Sequence, residues 1–390
     1  MKLLDKIKEI YQSLKGLTTI GIGTVISNAL GAIFWFSIAA ILGTEQYGQV
    51  SYLLAIAIIA SRISLLGSPN TLMVYVAKGV KIQPAIFVSA ISSSIIASLI
   101  VYFSFLENLG VSVYIIGFVI FALVSYDVLG KKEYRQYAIY IISQKIFLII
   151  FSISLFYTIG FDGVILGIGI SFFPYVIIII KEVRKTKINF SVLRERKEFI
   201  FNNYMVDLIG AFNGSLDKLI INPLFGFILL GNYQLAQQFF LILIIIPAVV
   251  FQYILPHDSS GNSNKNLKKA IILISIISAA LGIILAPILI SIFFTEFKES
   301  IELIQVISLA IIPSTIITTY TSKFLGIGKS KIVLVGSGLF LIIQIPLIIF
   351  LADIIGIMGA AVALVIATSI QAVYLILIEK FFTKKEVEKC

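Results

Sequence analysis

The sequence has little of what soluble chemistry needs. Its 390 residues include one cysteine, one histidine and one tryptophan, and only 13% of its side chains are charged. With Cys390 alone, no intrachain disulfide can form. His257 follows Pro256 with no cysteine or second histidine beside it, which argues against a metal site and against a catalytic histidine. No cofactor is expected.

What the chain has instead is apolar surface. Hydrophobic residues make up 59% and the mean hydropathy is +1.06, against roughly 45–50% apolar and about 25% charged residues in an ordinary soluble domain. Water cannot be its main solvent. About 20 apolar residues cross the hydrocarbon core as a helix, and such runs lie near 17–42, 48–76, 84–106, 111–129, 137–159, 163–181, 200–223, 232–255, 269–294, 301–324, 332–352 and 356–379. The runs are apolar on all sides, whereas barrel strands alternate. The expected fold is all-α: a polytopic membrane protein of about twelve transmembrane helices. Ahead of the first span, Leu3, Leu4, Ile7, Ile10, Tyr11 and Leu14 recur at helical spacing among lysines, so residues 1–16 read as an amphipathic interfacial helix rather than a signal peptide.

Charge sets the orientation. Of 30 Lys and Arg residues, 26 fall in the termini and the even-numbered loops or at their edges. Lys298 is the one basic residue in an odd-numbered loop, and those loops carry Glu45, Glu107, Asp162, Glu296, Glu299, Glu302 and Asp353. By the positive-inside rule both termini face the cytoplasm and the protein is multi-pass in the cytoplasmic membrane. The basic stretch from Lys181 to Lys197 lacks an aromatic platform, so attraction to anionic headgroups is expected of it and no nucleic acid.

Glycines repeat in order. Gly43 and Gly48 recur as Gly226 and Gly231, 183 positions on, and Gly130, Gly160 and Gly163 recur as Gly326, Gly356 and Gly359, displaced by 196. The alternative is that glycine simply marks helix ends. A repeat of six spans is parallel, with its axis along the membrane normal. It predicts two pseudo-symmetric six-helix bundles around a central cavity: a lobe at 17–181, a basic linker at 182–199, a second lobe at 200–380 and a tail at 381–390.

The stretch Ile41-Leu-Gly-Thr-Glu-Gln-Tyr-Gly-Gln-Val-Ser51, its half-echo Leu230-Gly-Asn-Tyr-Gln-Leu-Ala236, the pair Leu255-Pro256 and the terminal Gly356-Ile-Met-Gly-Ala-Ala361 resemble the polysaccharide-exporter branch of the multidrug/oligosaccharidyl-lipid/polysaccharide exporter superfamily. The resemblance covers essentially the whole chain. It implies a flippase that moves a polyprenyl-(di)phosphate-linked oligosaccharide across the cytoplasmic membrane by alternating access, for surface polysaccharide synthesis such as O-antigen. It also implies a cationic cavity, membrane lipids as neighbours, and room for a glycan polymerase and other assembly proteins as partners.

Charges inside spans are costly, at least about 2.5–3.5 kcal/mol at the centre, and are kept where they serve a cavity or a pair. Three basic candidates for substrate binding follow: Arg62, Lys145 and Lys218. A guanidinium suits a diphosphate best, through its planar fork of donors. The competing readings are an ion pair for Arg62, snorkelling to the headgroups for Lys145, and a solvated interfacial pair with Asp217 for Lys218. In the seventh span Asn203, Asp207, Gly210, Asn213, Gly214, Asp217 and Lys218 share an arc of about 140°. In the first span Thr24, Ser27, Asn28, Gly31 and Trp35 share roughly 100°. These faces would line a cleft, with Asn28 and Asn213 toward the sugar and Asp207 and Asp217 as coupling carboxylates. Close helix packing through small-xxx-small pairs is the other explanation. Asp127, beside Lys131 and Lys132, reads as a boundary residue.

Gly326-Ile-Gly-Lys-Ser330 resembles the end of a phosphate-binding loop, but Lys323 stands where the first glycine would be, so ATP hydrolysis is not expected. A membrane polymerase or glycosyltransferase would need a sizeable catalytic loop that the short odd-numbered loops do not offer, so no enzyme is expected. A drug/cation antiporter of the same superfamily is the other alternative. The mid-membrane charge is basic as well as acidic, which favours an anionic cargo.

Overall fold

Inside hydrocarbon a helix satisfies its own backbone donors and acceptors, so a chain this apolar has helices to build with. The computed structural model describes residues 2–185, 187–245, 265–326 and 329–387, and among them there is no strand. In chain order the helices are α1 (Lys2–Ser64), α2 (Ser68–Ala77), α3 (Gln83–Val101), α4 (Leu109–Gly130), α5 (Tyr134–Ile159), α6 (Phe161–Ile170), α7 (Val176–Lys185), α8 (Ser191–Arg194), α9 (Lys197–Leu243), α10 (Lys265–Phe293), α11 (Ser300–Leu309), α12 (Ile311–Gly326), α13 (Ser330–Ile355) and α14 (Met358–Val387).

Ten helical stretches among the described residues are long and apolar enough to cross a membrane. Two of them, Thr18–Ser64 and Lys197–Leu243, run for 47 residues, about 70 Å at 1.5 Å per residue against a core of about 30 Å. Each is broken at a glycine of left-handed φ: Gly43 at φ 71°, ψ −178° and Gly226 at φ 79°, ψ 178°. Counting both sides of each break gives twelve crossings. The protein is a multi-pass α-helical membrane protein. The second span is also interrupted where Gly67 and Pro69 stand: Leu66 and Gly67 take φ of 52° and 72° before α2 resumes at Ser68.

The repeat in the glycines is a repeat in backbone geometry. Helices α5 and α13 are both 26 residues long and 196 positions apart. They end at Gly160 (φ 76°, ψ −148°) and Gly356 (φ 60°, ψ −144°). Gly163 then packs against Leu155, and Gly359 against Leu351. The third expected pair, Gly130 and Gly326, reaches a residue whose side-chain surroundings are not described, as are those of residues 1–16. His257, the Leu255-Pro256 pair and Cys390 lie outside the described residues.

Contacts divide the chain into two compact units, residues 1–34 with 53–211 and residues 35–52 with 212–390. The division falls inside helices: α1 gives its stretch 35–52 to the second unit, and α9 divides after Ala211.

In the first unit α4, α5 and α6 meet through small residues. Lipid tails are as apolar as leucine, so association rests on close packing. Gly117 lies against Gly169 and Phe172, Gly167 against Ser152, and Gly169 against Tyr114. The first span docks on α5 with Gly23 on Ala138, and Ser27 Oγ donates to the Ile141 carbonyl at 3.2 Å. Asn108 caps α4, accepting from Val111 N at 3.0 Å. At the other end of α4, buried Asp127 accepts from Lys131 Nζ at 2.6 Å, and Lys131 also reaches Glu182 at 3.1 Å. The expected boundary residue is thus tied to the end of α7.

In the second unit the 43–48 turn packs on the 226–231 turn. Tyr47 is fully buried, edge-on to Trp35 at 6.4 Å and to Phe297 at 5.9 Å. Asn232 Oδ1 accepts from the Ser300 amide at 3.0 Å, fixing the start of α11.

Candidate functional site

The polar face of α9 was expected to be either a cargo surface or a packing seam. A Cβ built on Gly210 or on Gly214 would meet nothing within 4 Å. Close packing therefore does not account for these two glycines. Asn213 keeps a buried Oδ1 without a hydrogen-bond partner. Asn203 donates to the Phe199 carbonyl of its own helix at 2.8 Å, which uses one of its donors locally.

Arg62 lies in the last turn of α1, just before the Gly67 break within the second span, and it is half-buried. Its guanidinium carbon stands 5.3 Å from the centroid of the Phe118 ring on α4, in the range of a cation–π contact. Its charge acts on Tyr114 and Tyr126 of α4 and on Asp207 of α9. No carboxylate lies within salt-bridge distance of it among the described residues, and Asp207 Oδ2 is buried without a hydrogen-bond partner. Arg62 and Asp207 are thus electrostatic neighbours that do not neutralise each other by contact. Both keep capacity for a further ligand.

Lys145 of α5 lies across the first span. Its Cε and Nζ would stand 3.7 and 3.9 Å from a Cβ on Gly31. The absent side chain at Gly31 makes room for it. Asn28 is exposed and sits one turn from Gly31 on the same helix face. Among the described residues no ion pair reaches Lys145, so burial acts on an ammonium that no carboxylate balances.

Lys218 differs. Its Nζ donates to the Gly214 carbonyl at 3.0 Å and lies 3.4 Å from Asp217 Oδ1. Asp217 is 8% exposed, so the pair is not the solvated interfacial one considered above. Its other oxygen accepts from the buried Tyr233 hydroxyl at 3.0 Å, and Gln237 donates to that hydroxyl at 2.8 Å. This network joins the two sides of the Gly226 break within the second unit.

The first unit therefore holds Arg62, Lys145, Asn28 and Asp207, and the second holds Asn213, Asp217 and Lys218. Sequence reading missed Phe118, Tyr126, Tyr233 and Gln237. Aromatics are common in spans, and the signal available was Tyr126 directly before Asp127 and Tyr233 within the glycine echo. Among the described residues no group of three or more His, Cys, Asp or Glu is placed to hold a metal ion. The chemistry on offer is recognition of an anion by a guanidinium and an ammonium within spans.

No protein-family profile and no curated protein matches the sequence. Solved structures do. The fold is similar to that of the lipid II flippase MurJ in an inward closed conformation, at a TM-score of 0.77 and 19% identity, covering 93% of this chain and 87% of that one. It is similar to a multidrug resistance MATE family transporter of the MOP superfamily in an inward-facing conformation, at a TM-score of 0.73 and 12% identity, covering 92% and 94%. It is also similar to a MOP superfamily transporter from Pyrococcus furiosus, at a TM-score of 0.66 and 13% identity, covering 94% and 95%. At these identities the likeness is one of fold: the chain has the fold of MOP superfamily transporters.

Proposed function

We propose that the protein is a flippase that moves a polyprenyl-(di)phosphate-linked oligosaccharide across the cytoplasmic membrane by alternating access, with both termini cytoplasmic. It belongs on this reading to the polysaccharide-exporter branch of the superfamily and works without enzymatic turnover of its cargo. The observation that carries the proposal is the pair of cations within spans of the first unit, Arg62 and Lys145, with no carboxylate in contact with either among the described residues. An unneutralised charge within a span is retained at a cost, and a diphosphate headgroup would offset it. The sugar would pass Asn28 and Asn213, and Asp207 would serve as the coupling carboxylate beside Arg62. Lys218 and Asp217, already joined, would couple the α9 break to the cycle.

The fold is shared with multidrug transporters, so cargo class is the point to test. Wild-type protein in vesicles is given either a fluorescent lipid-linked oligosaccharide, scored by its protection from an external glycosidase, or an organic cation dye. The proposal expects movement of the first and none of the second. Dye efflux without glycolipid movement would establish the antiporter instead.

A further inference from the structure

Between the break in the second span and the start of α9, the first unit forms an open pocket of about 420 Å³, within the size range of ligand sites. Leu65, Ile86, Ala90, Ile200 and Phe201 form its walls. Three serine and threonine hydroxyls line it, each spent on a nearby backbone carbonyl, and Tyr204 carries a fourth hydroxyl. Ser68 donates to the Leu65 carbonyl, Thr71 to Gly67 at 2.7 Å and Ser89 to Ala85 at 2.8 Å. Aliphatic and aromatic side chains make up most of the lining, so the interior is largely apolar.

The two charged residues that line it are both basic, Arg194 and Lys197, and both are exposed. Neither side chain takes part in an ion pair or hydrogen bond among the described residues. Lys197 opens the membrane-spanning stretch of α9. Tyr204, seven residues on, also lines the cavity, about 10 Å deeper at 1.5 Å per residue. The site thus has a cationic mouth at headgroup depth and an apolar interior at acyl-chain depth. A free inorganic anion would leave the interior empty, and an uncharged acyl chain would leave both cations unpaired.

We propose that this cavity binds one anionic phospholipid of the adjoining leaflet, its phosphate held by Arg194 and Lys197 and an acyl chain inserted against the Leu65–Gly67 break. The site is separate from the cations proposed for cargo and stands whether or not the flippase reading does. The occupant would pack against Leu65 and Leu66, next to Gly67, whose backbone closes on Ile200 and Tyr204. It would brace the broken second span against α9.

The full-length protein in nonionic detergent is titrated with phosphatidylglycerol or phosphatidylcholine, and bound lipid is counted by native mass spectrometry. One phosphatidylglycerol should bind in preference. Basic residues near a headgroup contribute about 1 kcal/mol each, so R194Q/K197Q should weaken binding roughly thirtyfold. R184Q/K187Q, in the same basic stretch but not lining the cavity, should leave it unchanged. Ser89→Leu, which fills the interior, should abolish it, and the exposed R194Q/K197Q pair keeps the test decisive if that variant does not fold. Equal affinity for phosphatidylcholine, retention by R194Q/K197Q, or equal loss in R184Q/K187Q would overturn the proposal. Displacement of phosphatidylglycerol by equimolar polyprenyl phosphate would make the cavity a cargo-tail pocket and overturn it as well.

Discussion

Gly48 and Gly231 lie against each other backbone to backbone in a reciprocal crossing. A Cβ on Gly48 would run into the Phe227 carbonyl and stand 2.9 Å from Gly231 N. A Cβ on Gly231 would run into the Thr44 carbonyl and stand 3.2 Å from Gly48 N. Thr44 and Phe227 are themselves 183 positions apart, as the two glycines are. The glycine echo in the sequence is therefore a pseudo-twofold contact between equivalent turns of the second unit.

Gly48→Ala or Gly231→Ala must separate two backbones, since neither partner atom belongs to a side chain that can turn away. Overpacking of this kind costs about 1–3 kcal/mol. Purified variants should unfold at clearly lower temperature than wild type. An unchanged melting temperature would show that the turns do not meet in the membrane.

Gly210→Leu and Gly214→Leu should behave in the opposite way. Nothing lies within 4 Å of a Cβ at either position, and leucine is the better helix former by roughly 0.5–1 kcal/mol. Stability should hold or rise while glycolipid movement falls, because the side chains would occupy the polar face of α9. Full transport in both variants would remove this face from the cargo path.

Lys131→Met should destabilise the first unit. It removes the ammonium from Asp127, whose side chain is 1% exposed, and from Glu182. Breaking a pair that is buried on one side should cost about 1–3 kcal/mol, less than the figure for a fully buried pair because Lys131 is part-exposed. Burial pulls the Lys131 pKa down, but the Asp127 and Glu182 carboxylates outweigh it, and the group sits above its ordinary value. A raised lysine contributes fully below its unfolded pKa and loses that contribution as pH rises through the folded value. Thermal stability should therefore be flat through neutral pH and fall in the alkaline range, more in wild type than in Lys131→Met. Parallel pH curves for the two proteins would exclude this contribution.

Much of the fold was legible in the sequence because each crossing leaves two independent marks, an apolar run and a change of loop charge. The repeat was legible because Gly43, Gly226, Gly160 and Gly356 hold a left-handed φ that other residues rarely adopt. The allocation of residues 35–52 to the second unit was not legible. Hydropathy is nearly uniform around these helices, so it does not say which neighbour a span meets. Arg62 and Asp207 stood out as charges in apolar runs, yet their relation through α4 depends on Phe118 and Tyr126, which look like ordinary core aromatics. The burial of Asp217 by Tyr233 likewise needed the fold-back at Gly226.

The three basic candidates should separate on mutation. Lys218 is joined to Asp217, so Lys218→Met removes the one cation beside a buried carboxylate, leaving it the Tyr233 hydroxyl and the backbone amide of residue 218, and should lower stability together with activity. Arg62→Gln and Lys145→Gln remove cations that no carboxylate contacts among the described residues and should leave the melting temperature near wild type. Loss of stability in Arg62→Gln would place it in a structural pair instead.

The central claim, that Arg62 receives an anionic headgroup, is tested most directly by flipping of a lipid-linked oligosaccharide in vesicles reconstituted with wild type, Arg62→Lys and Arg62→Gln at equal protein density. Charge-assisted hydrogen bonds contribute about 1.5–3 kcal/mol, so Arg62→Gln should slow flipping roughly 10- to 100-fold, with Arg62→Lys between it and wild type and all three equally stable. Wild-type flipping rates in Arg62→Gln would contradict the account.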